Sequence, residues 1–397
     1  MFEKDFPVLK NNPGLTYLDS AATTLTHQSV IDAIVNYHAK NKSNVHRGFY
    51  SIAEKATEDY ENVRSTVKNF FNMDDAGEVI FTSGTTDAVN KIAWGLALSL
   101  KLNRNDVVLI SEAEHHANIV PWHIIRNVFG LKIVAVPVLE NGAVDLKYFR
   151  HALEDEQGRC IISINHISNT IGYVTNLKEI FNIAKEKDCV IIVDAAQSVG
   201  KTRIDLDCKN SFFVFSGHKV YGPTGTGCIV GNKERLSQLS PVFGGGDMIE
   251  SVGWSSIKWA EVPYKFEPGT PNIAGIIGMG VALSWIQKVG IDKIDSHLSC
   301  LTDYALDELA KIDDIEIFKQ GEKHGLASFF IRKKNSLDVA ALLGSLDIAV
   351  RSGYLCAEPI VRNTVKEGIV RFSLGIYNNQ RDVDQFIGGI KKVKGTL

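Results

Sequence analysis

Nothing in the sequence offers a covalent or metal framework. The six cysteines, Cys160, Cys189, Cys208, Cys228, Cys300 and Cys356, form no CxxC pair and have no zinc-like spacing in 397 residues. They read as reduced thiols of a cytoplasmic protein, with no bound metal. Charge of one sign is also missing: 43 Lys+Arg stand against 46 Asp+Glu, a net charge of -3. No overall basic field exists for nucleic acid or an anionic membrane, so neither is expected as a partner, although a small polyanion could bind locally. Long apolar runs are absent too. The longest window, IAGIIGMGVALSWI at 273–286, is shorter than a membrane span and interrupted by glycine, which suits a core helix. The opening MFEKDFPVLKNNPG carries acids and a proline where a signal peptide needs a basic start and an apolar stretch. No internal repeat or low-complexity tract occurs.

What remains is an ordinary globular composition, 45% hydrophobic and 22% charged, in a chain long enough for a large core and a smaller second one. Seven short apolar runs, at 77–83, 106–111, 131–138, 160–168, 189–196, 212–216 and 227–231, alternate with segments of helical period. Continuous apolar strands separated by helices predict an α/β fold, a mostly parallel seven-stranded sheet covered by helices, with its ligand crevice at the strand C-termini. Beyond about residue 288 the texture changes to amphipathic helices and scattered strands, a smaller α+β unit. The expected division is a large α/β domain over 20–288, a small C-terminal domain over 289–397, and a segment 1–19 that packs with the latter.

Polar residues gather at the predicted strand ends. In FTSGTTDAVN a strand runs through Ser83, Gly84, Thr85 and Thr86 into a helix, offering N–H groups and hydroxyls to a phosphate, or simply capping the helix. SEAEHHANIVPWH carries His115, His116 and His123; adjacent histidines seldom converge on one ion, so one in a pocket and one at the surface is expected. Asn169 ends another strand, and Asp194 closes VIIVD with Gln197 just beyond, where a carboxylate is costly to desolvate unless a cation faces it. AAQSVGKT, at 195–202, imitates a P-loop, but Ala195 replaces the first glycine and no helix is expected next. Finally, FFVFSGHKVYGPTGTG holds Lys219 beside Ser216 and His218 among these strand-end groups. A lysine there suits a Schiff base to an aldehyde cofactor. Pyridoxal 5'-phosphate has matching parts: a phosphate for the hydroxyls, a ring nitrogen for Asp194 and an aldehyde for Lys219.

The blocks YLDSAATT, NVHRGFYSIAEKATEDYENVR, FTSGTTDAVN, EHHANIVPWH, HISNTIG, VDAAQSVG, VFSGHKVYGPTGTG, FEPGTPNIAGIIGMG, VRSGYLCAEP and VRFSLGIYN resemble, in order, the group II cysteine desulfurases of the class V aminotransferase family. The resemblance implies a PLP-dependent fold-type I homodimer. It implies Lys219 as the Schiff-base lysine, Asp194 at the pyridine nitrogen, Gln197 and Asn169 near the phenolic oxygen, and His115 stacked on the ring and moving protons. Thr85, Thr86, Ser216 and His218 would hold the phosphate, with Thr270 reaching it from the other subunit. Arg371 would clamp the α-carboxylate of L-cysteine, with Arg351 nearby, and Cys356 would take the sulfur as a persulfide for an acceptor protein serving iron-sulfur cluster or other thio-cofactor synthesis. Cys356 alone lies in a Gly-flanked loop between arginines; the other five cysteines read as small buried hydrophobes. The chain departs from the family pattern at Tyr50, Tyr354 and Leu355, where histidines are common. A selenocysteine lyase, a kynureninase-like or aminotransferase reaction with Cys356 dispensable, and an idle scaffold are the alternative readings.

Overall fold

The computed structural model describes residues 2–204 and 211–396; Cys208 lies outside them. All seven apolar runs are strands of one sheet: β1 (Gly77–Thr82), β2 (Val107–Ser111), β3 (Lys132–Val136), β4 (Cys160–Asn165), β5 (Val190–Asp194), β6 (Ser211–Ser216) and β7 (Gly227–Asn232), in spatial order β1-β7-β6-β5-β4-β2-β3. Only β7 runs antiparallel to its neighbours; the other four pairings are parallel. Every residue of β1, β2, β4 and β6 is buried. Helices cover both faces, which is why these strands read as unbroken apolar runs and not as alternating ones. Because β4 returns to the inner side of β2 while β3 lies outside it, the strand order reverses between β2 and β4. The crevice above such a reversal is where an α/β sheet can admit a ligand.

The apolar window at 273–286 lies in the helix Ile273–Val289, whose Ile276, Met279, Leu283 and Ile286 are buried in the main core. Among the described residues no single helix is long and apolar enough to cross a membrane, and the next helix, Ile291–Ala310, leaves at 80°. Gly290, at φ +95°, makes that turn. Four antiparallel strands follow, β8 (Ile315–Ile317), β9 (Leu326–Ile331), β10 (Arg351–Gly353) and β11 (Ile369–Ser373), in the order β8-β9-β11-β10. The N-terminal Thr16–Tyr17 pairs in parallel with Ile348–Ala349, and Asp19 bridges to Ser373. We propose that the two sheets mark two domains, 20–288 and 289–397, with 1–19 belonging to the second.

One expectation needs correction. Cys300 is exposed while Cys160, Cys189 and Cys228 are buried. Its helix buries Ile294, Leu298, Leu301, Ala305 and Leu309, a stripe of helical period that leaves position 300 on the opposite face. Arg371 sits in the middle of β11.

Candidate active site

The C-terminal ends of five strands of the large sheet meet β10, β11 and the loop after β10 around one cavity of about 570 Å³. Lys219 follows β6, Asp194 ends β5, Asn169 follows β4, His115 follows β2, and Thr85 and Thr86 follow β1; all line it, as do Gln197, Ser216 and His218. From the small sheet come Arg351, Cys356 and Arg371. Thr270 does not line the cavity of its own chain; it is exposed, 3.4 Å from Asn44 Nδ2.

One wall is built for an anion. The helix Thr85–Leu100 begins after Gly84, at φ +150°, a backbone that side chains avoid. A Cβ there would approach Ser216 Oγ to 3.2 Å. Ser216 Oγ accepts from Thr85 N at 2.8 Å and shares a hydrogen bond with Thr85 Oγ1. A helix N-terminus with hydroxyls around it is the arrangement that binds phosphate.

Asp194 is buried, with Ala196 N as a donor at 2.9 Å. Burial raises its pKa, against the pull of Lys219. No ion pair reaches it among the described residues. Lys219 Nζ likewise engages no side chain among them, and burial lowers its pKa while Asp194 opposes the shift. An amine pulled toward neutrality is a nucleophile and a base. His115 Nδ1 accepts from Ala117 N at 3.0 Å, and burial, with Lys219, His116 and Arg371, lowers its pKa to about 3. The ring is therefore neutral, and with Nδ1 accepting, its proton sits on Nε2. Burial and Lys219 take His218 down to about 4.

Across the cavity, Arg371 is buried, donating from Nη1 to Asn169 O at 2.9 Å and from Nη2 to Asp19 Oδ1 at 3.0 Å. Burial lowers its pKa, opposed by Asp19. Each terminal nitrogen keeps a second N–H for an incoming acid, and the buried Nε has no partner among the described residues. Arg351, half exposed, pairs with the other oxygen of Asp19 at 3.1 Å. Asp19, absent from the residues singled out by sequence, thus joins both arginines; its signal is the one that marked Asp194, an acid closing a short apolar strand.

Cys356 is exposed, and both it and Leu355 are left-handed, at φ +54° and +53°. Non-glycine residues held so cost about 1–2 kcal/mol each, and the surroundings supply restraint. Asn169 Nδ2 donates to Leu355 O at 2.8 Å, and His116 N to Cys356 O at 2.7 Å. Leu355 is buried in an apolar cluster with Ile171, Phe318 and Ile360. Tyr354 Oη donates to Lys366 O at 3.0 Å, under the Arg362 guanidinium. At the two positions where histidine is common, this chain has anchors. Tyr50 shares a hydrogen bond with Ser43 and stays exposed.

His116, given no role of its own by the sequence, holds the Cys356 loop. Its Nε2 accepts from Glu358 N at 3.2 Å, at the start of the helix Glu358–Thr364, so side chain and backbone together clasp the Cys356 loop; the exposed histidine is His123. Glu114 was also missed: buried, it accepts from Ser111 Oγ, Asn118 Nδ2, Asn165 Nδ2 and Asn165 N at 2.5–2.9 Å. Burial lifts its pKa to about 8 against these donors. It ties the His115 loop to β4.

The sequence model described as aminotransferase class-V matches residues 16–386. The chain belongs to the class-V aminotransferase family. Within that family its relatives are cysteine desulfurases. A probable cysteine desulfurase of Halalkalibacterium halodurans is 37% identical over 398 residues, 99% of this chain and 97% of that one. Solved structures agree. The apo cysteine desulfurase of Thermococcus onnurineus NA1 superposes with a TM-score of 0.91 at 32% identity, covering 99% of this chain and 97% of that one. The cysteine desulfurase CsdA of Escherichia coli, in its S-sulfonic acid form, gives 0.91 and 32% over 100% and 98%. Class-V aminotransferases are PLP-dependent enzymes of fold-type I, and the donor set here fits that cofactor: an uncompensated buried carboxylate, an unengaged lysine and a helix N-terminus face one cavity.

Proposed function

We propose that this chain is a group II cysteine desulfurase that converts L-cysteine to L-alanine and takes the sulfur onto Cys356 as a persulfide. The observation that carries this reading is the exposed, left-handed Cys356 held in the same cavity as Lys219, Asp194 and Arg371. When bound, pyridoxal phosphate supplies an electron sink for the pair left at the substrate Cα. Asp194 would pair with its ring nitrogen, Gln197 and Asn169 would hydrogen-bond near its phenolic oxygen, and Thr85, Thr86, Ser216 and His218 would hold its phosphate. Arg371, with Arg351 at the rim, orients the α-carboxylate. Lys219 Nζ removes the Cα proton, and His115 Nε2, which carries a proton, is available to donate it. The Cys356 thiolate attacks the substrate sulfur: an S–S bond forms, the C–S bond breaks with its electron pair left on the Cβ side, and protonation there yields alanine.

The test begins with the visible spectrum of cofactor-supplied protein, followed by alanine and sulfide production from L-cysteine with a reductant. An absorbance band with alanine formation is expected. A band without cysteine turnover would move the assignment to another class-V reaction, and no band would overturn the cofactor.

Two further outcomes follow from the clamp and the clasp. Arg371→Lys removes the planar fork and the free Nε. It should raise KM for L-cysteine roughly tenfold or more while the absorbance band persists, because a charge-assisted hydrogen bond contributes about 1.5–3 kcal/mol. His116→Ala keeps the backbone bond to Cys356 O but orphans Glu358 N. Single-turnover alanine release should slow by roughly five- to tenfold, from about 1 kcal/mol of lost positioning, with cofactor uptake unchanged.

The exposed apolar residues Phe49, Phe243, Trp254 and Tyr264 support a homodimer, and Thr270, itself exposed, would reach the partner subunit's phosphate site. A persulfide on exposed Cys356 can pass to an acceptor protein. The reduced-thiol reading supports a cytoplasmic location.

A further inference from the structure

The P-loop look-alike leaves one group unused. Lys201, its lysine, is 1% exposed, among the most deeply buried polar residues of the chain. A buried lysine without a carboxylate is costly, and no ion pair reaches it among the described residues. Its side-chain partner is Gln197: Lys201 Nζ donates to Gln197 Oε1 at 2.8 Å. On the other side of that amide, Gln197 Nε2 donates to Ala21 O at 2.7 Å. A carbonyl has no donor, so Ala21 O takes an N–H of the amide and the amide oxygen is left facing the lysine, which fixes which way the amide faces. Oxygen is engaged by the lysine and one N–H by Ala21. The group left for the cavity that Gln197 lines is the second N–H.

We propose that Lys201 is a positioning residue that sets the polarity of Gln197, so that the cavity is offered a hydrogen-bond donor, selecting an oxyanion, the phenolic oxygen of the cofactor, as its partner. This rests on the reading of the cavity as a pyridoxal phosphate site. The cation contributes in a second way. Lys201 faces Lys219 and Arg371, and burial together with these two lowers its pKa to about 7. From the small domain His324 faces it, its own pKa lowered by burial and by Lys201 against Asp295. Positive charge here disfavours a further proton at Lys219 and at whatever Lys219 is joined to.

Lys201→Met keeps length and apolar volume while removing both donor and charge. In cofactor-supplied protein the pH midpoint of the visible band should rise by about one unit, and the dissociation constant for pyridoxal phosphate should rise roughly five- to tenfold. In a Gln197→Ala background the second loss should vanish, since the lysine acts on cofactor retention through that amide. Lys201→Gln, which keeps a donor without the charge, should restore retention but not the midpoint, and Lys201→Leu replaces the methionine variant if that fails to fold. Unchanged affinity in Lys201→Met, or an equal loss in both backgrounds, would overturn the proposal. No band in the parent protein would instead overturn the cofactor site itself.

Discussion

Cys356→Ala is expected to lower alanine formation from L-cysteine by on the order of 10³-fold or more, the scale seen when a nucleophile is removed, while the visible band of the cofactor-loaded protein stays. The substitution is informative because of what it leaves alone. The bonds that restrain this loop run from His116 N to Cys356 O and from Asn169 Nδ2 to Leu355 O; both end on backbone carbonyls. The apolar anchor is the Leu355 side chain, not the cysteine. Alanine tolerates the left-handed φ no better and no worse than cysteine, so the strain is the same in both proteins. A loss of rate therefore reports the sulfur atom and not the position of the loop. Mass spectrometry of the protein after one turnover should find an added sulfur on the Cys356 peptide of the parent and none in the variant. Alanine release at the parental rate in Cys356→Ala would sink the persulfide step and leave a class-V reaction that does not need this thiol.

The same loop shows where sequence reading stops. The seven strands were legible because a parallel strand buried on both faces is a continuous apolar run. Their polar ends were legible because a carboxylate or lysine there has no cheap place to go. Strand ends were less clear: the run at 160–168 leaves the sheet after Asn165, where His166 N turns to Asp194 O. The restraints on Cys356 were not legible, since Leu and Cys carry no left-handed preference and the clasping groups lie more than 180 residues away. Asp19 joins Arg371 across 352 residues of chain. Only the closure of the N-terminal segment on the small sheet makes that carboxylate part of the site. Lys201 was visible as a motif but misdirected, because the helix N-terminus that would make it a phosphate ligand belongs to Thr85 instead. Cys300 could have been placed correctly from the helical period of its neighbours.

Asp194→Asn should move stability and activity in opposite directions. In the cofactor-free protein the carboxylate is buried with a single backbone donor, and burial raises its pKa. A carboxyl whose folded pKa lies above its unfolded value destabilises the fold once ionised. The cost is absent below the unfolded pKa, grows as pH rises through the ordinary carboxylate range, and is complete above the folded pKa. Asparagine removes it. The variant without cofactor should therefore melt roughly 2 °C or more above the parent at pH 7, with the gap closing as pH falls toward the acid range. Loading with cofactor reverses the order. The carboxylate then has a protonated ring nitrogen to pair with, and losing one partner of a buried pair costs about 3–5 kcal/mol, so alanine formation should fall by on the order of 10²–10³-fold. Lys219 also loses the nearby charge that supports its protonated form, while Arg371 remains to oppose it. Thermal melts with and without pyridoxal phosphate, beside steady-state rates, read both effects on the same preparations. A variant that is less stable than the parent without cofactor would mean that Asp194 has a structural partner in the fold, and its assignment to the ring nitrogen would fall.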